Sequence, residues 1–162
     1  MNTNQVFQSF IMEISIFGGL IMYKIEIYGE NKNELTIDLE QVIQPIKNIE
    51  GYYWKLLWID GESETDEYSV FELQEVIDKQ DGIPVDFEAL ENLSHKMETV
   101  TEALIIADRN DKNLFINIED ENLYDNEIVL ELIKDSHWQV VAKEEIIVDT
   151  FKVEFPNSEI ID

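Results

Sequence analysis

The chain has 162 residues, 44% of them hydrophobic, which is long enough and apolar enough to bury the core of one domain. Its 36 acidic residues outnumber 11 basic ones and give a formal charge of −25, which disfavours nucleic acid and anionic membranes as direct partners, because both require clustered cations. The absence of cysteine excludes disulfides and thiol chemistry and fits a reducing cytoplasm, which is the predicted location.

The first 21 residues carry no Lys or Arg and therefore lack the basic segment of a secretory signal. Helical spacing relates Phe7, Phe10, Ile11 and Ile14, and Gly18 with Gly19 would end such a helix. We interpret residues 1–21 as an N-terminal extension, either docked through its apolar side chains or not native to the domain. Residues 22–162 are predicted to form a single domain.

Alternating patterns predict a strand at 23–28 and a second strand at 34–37, across a turn rich in Gly and Asn. Asp38 is placed to cap a helix that Pro45 bends or ends early. The most apolar element follows at 52–59. Its period of two predicts a mid-sheet strand covered on both faces, with one face made of Tyr52, Trp54, Leu56 and Trp58 and the other of Tyr53, Lys55, Leu57 and Ile59.

Helices and strands continue to alternate in the second half of the chain. Ser69 is predicted to begin a helix with Phe71, Leu73, Val76 and Ile77 on its apolar face, and Asp86 to begin another. Strands are predicted at 101–107, 114–118, 128–133 and 138–142, followed by a helix with the apolar positions Ile147, Phe151 and Phe155. This order predicts an α+β fold: a largely antiparallel sheet with three to four helices mainly on one face.

Two stretches concentrate the negative charge. Residues 60–67 contain five acids and no base, and residues 119–127 contain five more. Because each stretch follows a strand, both can lie at one end of an antiparallel sheet and form a single negative surface. We predict that this surface binds a basic protein partner, with solubility alone as the alternative. The predicted contact residues are Asp60, Glu62, Glu64, Asp66, Glu67, Glu119, Asp120 and Glu121.

No pattern in the sequence indicates catalysis, a cofactor or a metal site. The alternation of acids from Asp60 resembles a calcium loop, but its sixth place lacks Gly and its twelfth place is Phe71 where a bidentate Glu belongs. The two histidines, His95 and His137, stand alone, and we expect the neighbouring side chains of Ser136 and His137 to point apart. The sequence also lacks a Gly-rich phosphate loop. We therefore predict a protein that is not an enzyme.

The last part of the chain carries a resemblance. The segment 134–140, Lys-Asp-Ser-His-Trp-Gln-Val, is followed by 143–147 and by 151–156. Together these segments resemble the Asp-Ser-x-Trp-x-Val ending of small acidic bacterial proteins, which include immunity partners of secreted toxins. His137 and Gln139 depart from the family pattern, whose corresponding places are variable or often acidic. The family's motif holds no catalytic residues to carry over.

The resemblance implies an immunity or inhibitor protein that neutralises a basic partner. Two other classes stay open. One is a small-molecule-binding or enzymatic domain with a pocket between helices and sheet, and the other is a mimic of nucleic acid whose carboxylates are spaced like phosphates. The sequence predicts no oligomeric state.

Overall fold

The computed structural model describes residues 12–17, 20–28, 35–114, 123–134 and 136–156. They form one seven-stranded sheet in the order β1-β2-β7-β6-β5-β3-β4, in which every neighbouring pair is antiparallel. The strands are β1 Met12–Phe17, β2 Leu20–Ile27, β3 Tyr53–Ser63, β4 Ile83–Val85, β5 Met97–Asp108, β6 Ile128–Ile133 and β7 His137–Ala142. The α-helices are α1 Leu39–Val42, α2 Val70–Lys79, α3 Phe87–Lys96 and α4 Glu145–Glu154.

All four helices pack on one face of the sheet, which confirms the predicted α+β fold. Each helix contributes fully buried side chains to the larger core, including Val42, Ile77, Leu90 and Phe151. The buried Trp138 of β7 joins this core and donates its indole N–H to the Ile37 carbonyl oxygen at 2.8 Å. That hydrogen bond satisfies the polar atom of the largest buried side chain.

The second face of the sheet carries a smaller core. Its sheet residues include Leu57, Ile106 and Val129, and they are covered by two short 3-10 turns, Asp111–Leu114 and Leu123–Asp125. No α-helix of the described residues packs on this face. Among the described residues the two faces are therefore covered in different ways, the first by helices and the second by 3-10 turns.

A bulge in β3 corrects the predicted assignment of its faces. Leu56 pairs with Ile105 and Trp58 pairs with Leu104, so Leu57 is an extra residue. Beyond the bulge the alternation is inverted. Trp58 therefore joins Lys55 and Leu57 on the second face, and Ile59 joins Leu56 in the larger core. The strand also lies next to the short edge strand β4, and the middle of the sheet is β6.

The N-terminal part of the sheet differs from the prediction. Residues 12–17 form β1, which pairs with β2 from Leu20 to Ile25, so Ile14 belongs to a strand where a helix was predicted. Phe7, Phe10 and Ile11 lie outside the described residues. The predicted strand at 34–37 is wrong over 35–37, because β1 and β7 already occupy both sides of β2.

The predicted caps of the first three helices are present. Asp38 Oδ1 accepts from Gln41 N at 2.9 Å, Ser69 Oγ from Glu72 N at 3.1 Å, and Asp86 Oδ1 from Ala89 N at 2.8 Å. A 3-10 turn that includes Pro45 follows the single turn of α1, as expected for a proline at that place.

Two predictions in the second half of the chain are wrong. In α2 the residues Phe71 and Val76 are 73% and 44% exposed, because the buried side of this helix is formed by Val70 and Ile77. Leu114 lies in a 3-10 turn where a strand was predicted, since β3 and β6 already occupy both sides of β5, and residues 115–118 of that predicted strand lie outside the described residues. The hairpin of β6 and β7 and the final helix agree with the prediction.

Helix α2 protects the part of β3 that extends beyond β4. There the backbone N–H of Ile59 would face solvent at a sheet edge, but it donates to Gln74 Oε1 of α2 at 2.9 Å. The amide nitrogen of Gln74 in turn donates to Asp78 Oδ1 at 2.8 Å. An open edge invites pairing with other chains, so this side chain occupies a donor that a further strand would use.

The larger core predicts the stability of two variants. Leu56 is 1% exposed and lies between β4 and β5, so Leu56→Ala should lower the free energy of unfolding by about 2–5 kcal/mol. Val153, on α4, is 82% exposed, and Val153→Ala should change the free energy of unfolding by less than about 0.5 kcal/mol. Urea unfolding of both variants measures the difference. A loss below about 1 kcal/mol for Leu56→Ala would contradict this packing.

Candidate functional site

At one end, the strands β3 and β5 extend beyond the neighbouring strands β4 and β6. β4 pairs with β3 only from Trp54 to Leu56, and β6 pairs with β5 only from Ala103 to Ala107. Beyond these limits residues 60–63 and 97–102 pair with each other and with no other described strand. We call this two-stranded projection the ribbon. It is part of the structure that sequence patterns did not predict, since residues 60–63 were expected to form a loop.

The close approach of the two strands at Gly61 explains how an acidic segment continues as a strand. Gly61 has a φ of +150°, and a Cβ at this position would lie 2.1 Å from the Thr99 carbonyl oxygen. Register shifts occur on both sides of it, between Asp60 and Gly61 and between Glu62 and Ser63. Only a residue without a side chain fits there, so Gly61 allows the ribbon to form.

The ribbon and the loop that follows it carry a dense set of carboxylates. Residues 60–67 and 97–102 contain seven acids and no Lys or Arg. Asp60 lies directly opposite Glu102, a like-charge pair that disfavours the folded state. The five predicted contact residues of this stretch, Asp60, Glu62, Glu64, Asp66 and Glu67, are all exposed. The structure therefore brings these five together on one projecting element.

The described part of the second acidic stretch, residues 123–127, does not join them. Ile128, which follows Glu127, pairs with Ala107, at the opposite end of β5 from the ribbon residue Met97. Ten residues of strand separate the two ends by about 30 Å, and charges so far apart are screened at physiological salt. The expectation of one common surface is therefore wrong for Asp125 and Glu127. Glu119, Asp120 and Glu121 lie outside the described residues.

Glu127 takes part in a cluster around Arg109, the chain's one arginine. The Glu127 carboxylate accepts from the Arg109 backbone N–H at 2.9 Å, and the guanidinium pairs with Glu144. The guanidinium also donates to the Tyr52 hydroxyl at 3.0 Å, and these contacts raise the pKa of Arg109. The cluster connects the segment before β3 with the ends of β5 and β7 and the start of β6, which is a structural role.

A cleft lies between the ribbon and the segment that leads into α1. Its volume is about 440 Å³. The rim carries Glu64 and Glu98 from the ribbon side and Asp38 and Glu40 from the other side, and Glu40 lies 3.2 Å from His95 Nε2. Apolar side chains at Met97, Val100 and Trp138 also line the cleft. Glu64 is the predicted contact residue that lies in it.

A second depression lies beside the ribbon on the second face of the sheet, and no pattern in the sequence indicates it. It measures about 350 Å³ and is lined by Trp58, Glu102, Ala103, Leu104, Glu131, Leu132 and Lys134. We call it the Trp58 depression. Trp58 Nε1 donates to Glu102 Oε2 at 3.0 Å, and Lys134 Nζ lies 3.9 Å from Glu102 Oε1. The bulge at Leu57 places Trp58 on this face, and a strict alternation would have buried it in the larger core.

Glu131 is the unusual carboxylate of this depression. It is half-buried, and burial raises its pKa above the ordinary value of 4.5. It makes no hydrogen bond and no ion pair with the part of the chain that the structure describes. A carboxylate that loses water without gaining a partner is destabilised in its charged form, and a cation placed beside it would remove that penalty.

Ser136 and His137 are closer than the sequence suggested. The hydroxyl oxygen of Ser136 lies 2.8 Å from His137 Nδ1, and Glu26 lies 3.9 Å from the other ring nitrogen. Burial lowers the pKa of His137, and its ring packs against Tyr28 with centroids 4.7 Å apart. The backbone N–H of Ser136 is donated to the Ile133 carbonyl oxygen, so it cannot stabilise an oxyanion. The contact fixes the orientation of the ring.

Within the described ranges no group of three or more His, Cys, Asp or Glu side chains converges as metal ligands do. Of the helices in these ranges, none has the length and apolar character needed to cross a bilayer. The acidic ribbon, together with the cleft and the Trp58 depression beside it, is the strongest candidate site in the described part of the chain.

The tight contact at Gly61 makes a testable prediction. Gly61→Ala places a Cβ against the Thr99 backbone, so it should lower the free energy of unfolding by roughly 2 kcal/mol or more. Gly51 also has a positive φ, but a Cβ there meets no atom within 4 Å. Gly51→Ala should therefore cost only about 1 kcal/mol. Equal losses in urea unfolding would show that the ribbon strands are not in close contact.

No family model matches the sequence, and neither the curated proteins nor the solved structures give a match.

Proposed function

We propose that this chain is an acidic protein-binding module that captures a basic partner through the ribbon and the loop after it. The observation that carries the proposal is the concentration of seven carboxylates in residues 60–67 and 97–102, which contain no Lys or Arg and form the ribbon and the loop after it. Nothing in the core requires those charges, because the buried part of β3 ends at Ile59.

The energetics support capture of a cationic surface. Two unit charges 4 Å apart interact by about 1 kcal/mol in water, so several carboxylates within one screening length repel one another appreciably. A basic partner would turn this repulsion into attraction and would be steered to the ribbon as it diffuses. If solubility alone were selected, an even distribution of the acids over the surface would serve equally well.

The partner class follows from the resemblance of the C-terminal segments to immunity proteins of secreted bacterial toxins. We propose an immunity or inhibitor role in which the module neutralises a toxin or enzyme with a basic surface. A cysteine-free chain suits such a role in the cytoplasm. The role of nucleic-acid mimic has less support, because the described carboxylates of the site cluster at one end of the sheet and do not follow an extended line.

A different observation favours small-molecule binding as a second candidate. A cavity of about 500 Å³ lies between β3, β4 and the 3-10 turn Asp111–Leu114, with Tyr52, Tyr53 and Trp54 among its lining residues. The ammonium of Lys55 donates to the Leu114 carbonyl oxygen there at 2.9 Å, and burial lowers the pKa of Lys55.

A screen of small aromatic acids by thermal shift tests this candidate. A compound that binds the cavity should no longer raise the melting temperature of Lys55→Met, and a compound that still does so would bind elsewhere.

Charge reversal tests the main proposal. The variant with Glu62, Glu64, Asp66 and Glu67 changed to Lys should fold, because exposed charges contribute little to stability. It should lose the capture of basic proteins in a pull-down at physiological salt. In the unaltered protein the association rate should fall by roughly 10-fold or more with added salt.

The matched control reverses four acids away from the ribbon and makes the same change in net charge. Suitable positions are Glu50, Glu145, Asp149 and Glu154. This variant should retain most of the capture. If both variants lose capture equally, only the net charge matters, and the ribbon is not a binding site.

A further inference from the structure

We infer that the basic partner is anchored at the Trp58 depression, with Trp58 as the apolar contact and Glu131 as the carboxylate that receives a Lys or Arg side chain. This inference rests on the proposed function and adds to it the face and the residues of the contact. It concerns the second face of the sheet, beside the ribbon.

The Trp58 depression lies where the two described 3-10 turns cease to cover the second face. A register row runs across five strands through Trp58, Leu104, Glu131, Gln139 and Glu26. The next row on the same face, which includes Val129 and Val141, lies in the core that the 3-10 turns cover. The first row thus forms the border between covered sheet and the acidic ribbon, so a partner attracted by the ribbon would meet apolar surface there.

Trp58 has the properties of an anchor residue. It is half-buried, and its indole N–H is held by Glu102, so its ring is ordered before any partner arrives. The other two tryptophans, Trp54 and Trp138, are 6% and 0% exposed. Binding hot spots are enriched in tryptophan, because a large rigid ring loses much apolar surface at little cost in entropy.

Glu131 supplies the reason for a cationic occupant. It is half-buried and lacks a partner in the described residues, so a guanidinium or ammonium group placed beside it forms a charge-assisted hydrogen bond and offsets its lost hydration. Lys134, on the same rim, is directed to Glu102. A second copy of this chain is disfavoured as occupant, because each copy carries a charge of −25.

Glu26, in the same row, provides a matched control. It is also only partly exposed, but Lys24 Nζ lies 3.0 Å from its carboxylate and the Tyr28 hydroxyl donates to it at 3.1 Å. Its charge is already compensated, so an arriving cation gains less from it. Neutralising Glu131 and neutralising Glu26 change the net charge equally and differ in this local compensation.

The experiment uses a short Arg-rich peptide as the probe, a Gln-rich peptide of the same length as its control, and NMR of the tryptophan indole N–H signals. The Arg-rich peptide should shift the Trp58 signal, identified by its loss in Trp58→Phe. Glu131→Gln should weaken peptide binding by about 5-fold or more, and Glu26→Gln by less than about 2-fold. Equal effects of the two variants would overturn the inference.

The pH dependence gives an independent readout. A bound cation lowers the raised pKa of Glu131, so binding releases a proton, and affinity should rise as pH increases through and above 4.5. This added rise should be absent in Glu131→Gln. The other charged or titratable groups on this face around Glu131, which remain in both proteins, are Glu102, Lys134, Tyr124, Lys24, Glu26 and His137. A pH profile that is the same in both proteins contradicts the inference.

The outcomes separate this inference from the proposed function. Suppose that the variant with Glu62, Glu64, Asp66 and Glu67 changed to Lys loses peptide binding, while Glu131→Gln and Trp58→Phe leave it unchanged. The partner then binds elsewhere on the ribbon or its loop, and only the inference fails. If none of the variants affects binding, both proposals fail. If light scattering finds a dimer without peptide that Trp58→Phe converts to a monomer, the face receives a second copy and the inference is wrong.

Discussion

The pairing of β3 with β5 is the interaction on which the rest of the structure depends. It extends from Tyr53 opposite Asp108 to Ser63 opposite Met97 and is the longest strand pairing among the described residues. Its inner half is buried on both faces and supports β4 and β6. Its outer half is the ribbon, which is held by its own ladder, by the register that the inner half imposes, and by Met97 and Val100, which pack in or against the larger core. A segment with poor strand propensity is thereby kept extended by a well-packed neighbour.

This division explains how the protein combines a large negative charge with a stable fold. The inner half of the pairing includes buried residues such as Leu56, Ile59 and Ile105, and it faces helices on one side. The carboxylates lie where no core depends on them, so their mutual repulsion acts on an element whose loss of contacts would be small. Charge and packing are thus assigned to different halves of the same two strands.

Local patterns in the sequence were sufficient for much of the fold. Caps such as Asp38 and Asp86 act within three residues, and the last hairpin and helix have regular periods, so each could be recognised from its own segment. The prediction of a strand at 34–37 failed over 35–37 because an alternating pattern does not show whether a neighbouring strand has an edge left to pair with. The bulge at Leu57 adds one residue without changing composition, and only the register against β5 reveals it.

The site was predictable in part for the same reason. The exposure of residues 60–67 follows from their charge, and the structure agrees. The separation of the two acidic stretches depends on strand order, which no single segment determines. The placement of Trp58 and Glu131 in one depression depends on three strands, since Leu104 of β5 lies between them in the row. This arrangement involves residues more than 70 positions apart and has no counterpart in a local pattern.

The side chain of Gln74 has a consequence for how a partner can be recognised. Many protein interactions add a strand to a free sheet edge, where hydrogen bonds to the backbone of the added strand supply much of the affinity. At Ile59 an added strand would lose one of these hydrogen bonds, because the edge donor is already satisfied by a side chain that is itself held by Asp78. Strand addition is therefore disfavoured at this place on β3, and a partner that meets the sheet there is recognised through its side chains.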